Sequence, residues 1–289
     1  EMIASLLLYA VGFPIVTGLL IFFVVVVWDN VPGGILPVPI LATAGCYLGL
    51  LGIPVSPFAS AVSLFFYVSF ALLILPVVES VLPDQGLLVS LYKILCLLGL
   101  WAVIYYPRGR VSTDIPTEVT ISLLILAGVF FLWELLESPV EGLRVSIAGP
   151  GLHLVAGGVL FGVYTSFIAG QLALAGGAGI LSFFLATLLM SRSIPARDHS
   201  DKLILFPLLL TLYGLFYTTL SWTTLCIYLV ALLALLLPKF ISFDERALMS
   251  TVVICSLILI MTGAAAFNEE YNPLVETTEE GESYRPYDR

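Results

Sequence analysis

Apolar runs about 20 residues long, the length an α-helix needs to cross the hydrocarbon core of a bilayer, recur along this chain and limit what it can fold into. They fall at residues 3–28, 35–54, 57–79, 86–106, 116–136, 145–166, 169–190, 203–222, 223–237 and 248–267. A backbone group in hydrocarbon has no water to bond, so each run must close its hydrogen bonds within itself as a helix. The expected fold is therefore all-α, a polytopic transmembrane helix bundle of about ten spans. A soluble reading fails on composition. Hydrophobic residues make up 60% of the chain and charged residues only 11%, against about a quarter charged in an ordinary soluble domain. The bundle occupies residues 1–267, and residues 268–289 form an acidic polar C-terminal tail.

The net charge of -9 is unevenly placed, because the tail alone holds seven acids and two arginines. No basic stripe is present, so nucleic acid is not an expected partner. The lipid bilayer is. Orientation follows from the short loops. With both termini extracytoplasmic, the inner loops hold Arg144, Arg192, Arg197, Lys202, Lys239 and Arg246, and the outer loops only Arg108 and Arg110. The positive-inside rule favours that arrangement, with the cell membrane as the expected location. Trp28, Tyr105, Tyr106, Trp133 and Trp222 stand near run ends, as interfacial aromatics do.

One stretch breaks the apolar pattern. Residues 188–207, LLMSRSIPARDHSDKLILFP, gather Arg192, Arg197, Asp198, His199, Asp201 and Lys202 between the seventh and eighth runs. The plain reading is a solvated inner loop that sets topology, with Arg144 in a neighbouring inner loop. The alternative is a phosphate-binding or catalytic loop, since both charge signs and an imidazole can hold a lipid phosphate and move a proton. No HExxH, GxGD or DxxDG signature accompanies it. The topogenic reading is the better one.

Ionisable residues inside spans are functional candidates by default. Lys93 lies about seven residues into the fourth run, roughly 10 Å deep. Glu134 sits near the end of the fifth, Glu79 ends the third, and His153 is about eight residues into the sixth. All four fall in the inner half of the expected bilayer, and a polar vestibule with a Lys93–Glu134 or Lys93–Glu79 ion pair is the site they predict. Each also has an ordinary reading: a snorkelling lysine, two interfacial acids, and a packing histidine.

Two histidines, His153 and His199, exclude a bundle holding two bis-histidine haems. Gly176-Gly177-Ala178-Gly179 lacks the Gly-Lys-Ser/Thr ending of a nucleotide loop and is expected to loosen or kink the seventh span. No cofactor or metal is predicted. The four cysteines have no CxxC spacing and read as buried free thiols. Two GxxxG patterns, Gly45 with Gly49 and Gly158 with Gly162, allow close helix approach within the chain or against a partner.

Three functions fit these features. A non-catalytic membrane subunit of a larger assembly leads, its acidic tail docking to other membrane or extracytoplasmic subunits, because a turn-rich acidic segment orders most readily on a partner. A small-molecule or lipid secondary transporter is the alternative. Five spans per half would make two halves inverted, and the first span of each is interrupted, by Gly12-Phe13-Pro14 and by Gly149-Pro150-Gly151. Paired interruptions of this kind point to a transporter's site. The third reading is an enzyme acting on a lipid head group through inner loops around Glu137, Arg144, Arg192 and His199.

Overall fold

The computed structural model describes residues 7–27, 35–52, 67–68, 70–71, 74, 86–108, 116–117, 119–120, 123–124, 126–128, 130, 145–164, 167–190, 203–204, 206–208, 222–236 and 244–271. Among the described residues the chain is helical, with no strand. A π-helical turn, Leu7–Gly12, leads into α1 (Phe13–Val27), followed by α2 (Pro37–Leu51), α3 (Gly86–Arg108), α4 (Val145–Tyr164), α5 (Phe167–Leu189), α6 (Trp222–Leu236) and α7 (Glu245–Tyr271). Among the described residues, three helical stretches are long and apolar enough to cross a membrane, Leu7–Val25, Ile168–Leu189 and Arg246–Ala265. Shorter apolar helices cover Pro37–Leu51, Gly86–Gly99, Ser146–Gly162 and Cys226–Leu235.

Local chemistry sets the ends. Pro37 opens α2, where its missing N–H is not needed. The same helix stops at Gly52, whose φ of 74° is left-handed and whose N–H donates to the Leu48 carbonyl at 3.0 Å. Asp244 caps α7 by accepting the Arg246 N–H at 3.2 Å.

The helix at the centre is α5. Of its apolar stretch 67% is buried, against 33% for the first stretch and 28% for the last. Its sequence explains the position, since glycine and alanine let three other helices reach its backbone. Helix α1 runs parallel to α5: Gly18 meets the Gly179 carbonyl and Ser182, and one turn on Phe22 meets Phe183 edge-on at 5.6 Å. Helix α2 runs antiparallel, with Ala42 at Gly179, Thr43 at Gly176, and the Cys46 thiol 3.8 Å from the Gln171 carbonyl. Helix α4 also runs antiparallel. A Cβ at Gly177 would stand 2.7 Å from the Gly151 carbonyl, and one at Gly158 would stand 2.8 Å from that of Gly170.

Both GxxxG patterns are therefore used inside the chain. Gly45 and Gly49 receive the rings of Phe13 and Tyr9, while Gly158 and Gly162 receive Gly170. Gly176-Gly177-Ala178-Gly179, expected to loosen or kink its span, does not interrupt it. The helix runs unbroken from Phe167 to Leu189, because these glycines are filled by neighbours and not left to solvent.

Many large side chains point the other way. Leu87, Leu91 and Leu95 on α3, and Ile254, Leu257 and Met261 on α7, are exposed. Helices apolar on every face, with large apolar side chains exposed as well as buried, suit a surrounding of lipid. All four cysteines are free thiols, and Cys46 and Cys96 are buried as expected; Cys255, half-buried, and Cys226, exposed on α6, correct the expectation of burial. A membrane-permeant maleimide should accordingly modify Cys226 ahead of Cys46 and Cys96. Peptide mass spectrometry reads the order, and equal rates would contradict this packing.

Candidate functional site

Hydroxyls inside an apolar helix usually find a carbonyl one turn back. Thr17 donates to Phe13 at 2.9 Å, Ser182 to Gly179 at 2.8 Å, and Thr262 to Ile258 at 2.9 Å. His153, Thr43 and Ser256 depart from that pattern. Both ring nitrogens of His153, the Thr43 hydroxyl and the Ser256 hydroxyl are buried without a hydrogen-bond partner among the described residues. Leaving such a group unmet costs about 1–3 kcal/mol, so three of them form a feature to explain.

Each stands near the middle of its helix, Thr43 in α2, His153 in α4 and Ser256 in α7. His153 is fully buried. Its ring lies against Tyr228 of α6, with centroids 3.9 Å apart and planes tilted by 36°. Phe161, two turns along α4, meets Tyr228 edge-on at 5.5 Å. This aromatic group packs the face of the imidazole and leaves its nitrogen edges for other partners. A neutral imidazole offers one donor and one acceptor there.

The proline positions meet a single turn of α5. The Pro14 carbonyl stands 3.5 Å from where a Cβ on Gly179 would be, and a Cβ on Gly151 would stand 3.1 Å from Ile180. Helix α1 changes pitch just before Pro14, from the π-turn ending at Gly12. Helix α4 instead continues through Gly149, Pro150 and Gly151 without a break. What Pro150 removes is one backbone donor, which frees a carbonyl one turn back.

Of the residues expected to form the inner-half vestibule, the structure places His153 in this aromatic group. Lys93 lies half-buried on α3, whose Tyr92 donates to the Ala71 carbonyl at 2.8 Å and whose Gly99 lies over Val68. Glu79 and Glu134 lie outside the described residues, as do Arg144, Arg192, Arg197, Asp198, His199, Asp201 and Lys202. Sequence reasoning missed Thr43, Tyr228 and Ser256. Their signal was a polar atom at the centre of an apolar run, which is faint because threonine, tyrosine and serine are common in such runs. Compared with known proteins, the chain matches no family model, no curated protein and no solved structure.

Proposed function

We propose that this chain is a ten-span integral membrane transporter for a small molecule or lipid, resident in the cell membrane with both termini extracytoplasmic. The observation that carries the reading is the convergence of Pro14 and Gly151 on residues 179–181, halfway along α5. Helices α1 and α4 approach that turn from opposite directions, one parallel to α5 and one antiparallel. Opposed proline-bearing helices meeting halfway along α5 share the inverted arrangement of the design in which two halves build a central site, although α4 is unbroken where the sequence suggested an interruption. Thr43, which reaches Gly176 one turn before Gly179, and His153, two residues after Gly151, supply polar groups for a solute to bond.

Reconstitution into liposomes tests it. Solutes and lipids that raise the melting temperature of the purified chain are to be assayed for uptake. Pro150→Ala restores a helix donor where proline costs about 3 kcal/mol relative to alanine. It should raise thermal stability and reduce uptake about tenfold, a change of ~1.4 kcal/mol in the barrier. Uptake no faster than in protein-free liposomes, for every stabilising solute, sinks the reading. Orientation has its own check. In a cysteine-free background, Ser193→Cys and Ser283→Cys should react with an impermeant reagent from opposite sides, and reaction from one side overturns the topology.

A second reading, a membrane subunit of a larger assembly, draws on the acidic tail at residues 268–289. Such a composition favours docking to a basic surface.

A further inference from the structure

His153 and Ser256 lie on different helices, and the contacts of those helices bring them to one level. Along α7, Leu248, Val252, Ser256, Leu259 and Gly263 form a buried stripe. At its far end Gly263 sits on Val159 and Leu160 of α4. Counting back the same number of residues on both helices pairs Ser256 with His153. That count requires α4 and α7 to run parallel, and only parallel helices let the whole stripe lie along α4. Helix α6 is compatible with the same register. It is the helix preceding α7 and packs against it, and its Tyr228 stacks on His153. An antiparallel α6–α7 pair would set Tyr228 opposite the turn of α7 that ends at Ser256.

We propose that His153 and Ser256 together form a midspan site for one neutral hydroxyl group, held between α4, α6 and α7. The chemistry follows from what each side chain lacks. Neutral imidazole brings a donor and an acceptor, and the serine hydroxyl brings both as well. The occupant must then donate and accept at once. An anion would leave the imidazole acceptor unmet, and a cation would find no carboxylate among the described residues near it. Among those residues there is also no group of three His, Cys, Asp or Glu to hold a metal. The rings of Tyr228 and Phe161 cover one side of the imidazole group, so the occupant is small, a water molecule or the hydroxyl of a small solute. A water with two to four polar partners in a buried cavity is ordinary protein structure. The solute form of the proposal rests on the transport reading, and the water form does not.

Histidine NMR on the full chain in nanodiscs tests the site. His199→Gln leaves His153 as the single histidine, so a long-range ¹H–¹⁵N spectrum of ¹⁵N-histidine protein reports its two nitrogens alone. The expected spectrum is a neutral tautomer whose N–H exchanges magnetisation with water. Glycerol, a neutral polyol, is the second probe. A saturable shift of the His153 resonances identifies a solute hydroxyl as occupant, while water exchange with no glycerol shift identifies water. A Tm cycle supplies the second measurement. His153→Leu and Ser256→Ala should each lower the melting temperature, and the double variant should lose less than the two losses combined, because each single change strands the shared occupant. A His153 N–H with no water exchange and no glycerol response overturns the site, as does a His153→Leu variant more stable than the parent. If site-positive protein shows no uptake, the transport reading falls and the water site stands.

Discussion

Gly177→Ala should lower the melting temperature of the purified protein by about 6–12 °C, the equivalent of roughly 3 kcal/mol of overpacking. The added methyl would stand 2.7 Å from the Gly151 carbonyl, 2.8 Å from a Val155 methyl and 2.9 Å from the Val155 nitrogen. Two of these are backbone atoms, which no side-chain rotation can move aside. The seam between α4 and α5 must therefore open along its length. Gly158→Ala acts on the same seam from the other helix, meeting the Gly170 carbonyl at 2.8 Å and the Leu174 side chain at 2.6 Å. Once one substitution has parted the helices, the second finds space, so the double variant should lose less than the sum. Gly86→Ala is the control. Nothing lies within 4 Å of a Cβ there, and the helix gains from alanine. A Gly177→Ala protein as stable as the Gly86→Ala protein would show that α4 and α5 do not approach so closely.

The helices were legible because hydrocarbon leaves a run of 20 apolar residues no other way to bond its backbone. Residues 145–166 became Val145–Tyr164, residues 169–190 became Phe167–Leu189, and residues 223–237 became Trp222–Leu236. The runs at 57–79, 116–136 and 203–222 fall largely outside the described residues. The last helix starts earlier than its run, since Asp244 caps it, and it ends at Tyr271, four residues into the polar tail. Glutamate is a good helix former, which apolar length alone does not register.

Partners were not legible. A GxxxG pattern presents the same small groove to any helix, and only the folded chain shows that Gly45 takes Phe13 and Gly158 takes Gly170. His153 was conspicuous as an ionisable residue in an apolar run. Ser256 was not, because its significance lies in a register between two helices about a hundred residues apart. Depth grouped His153 with Lys93, Glu79 and Glu134; the structure adds that His153 stacks on Tyr228, and the two carboxylates lie outside the described residues.

Removing residues 272–289 should leave the bundle folded and weaken association with any partner subunit at least about tenfold, or ~1.4 kcal/mol. The cut belongs after Tyr271, where α7 ends, so no helical backbone bond is lost. The deleted segment holds five acids and two arginines. Its attraction to a basic surface acts through solvent, and raising ionic strength to about 1 M shortens the screening length to about 3 Å. Salt should then weaken the full-length complex and barely affect the truncated one. Native purification in mild detergent identifies the partners by mass spectrometry, and titration of full-length and truncated chains against them gives both affinities. A tail that folds back on its own bundle would behave differently, since truncation would lower the melting temperature and spare partner binding. A self-sufficient transporter would keep its uptake in liposomes without the tail. Tail-independent, salt-insensitive association would remove the subunit reading, and retained uptake by the truncated chain would place function in the helices around α5.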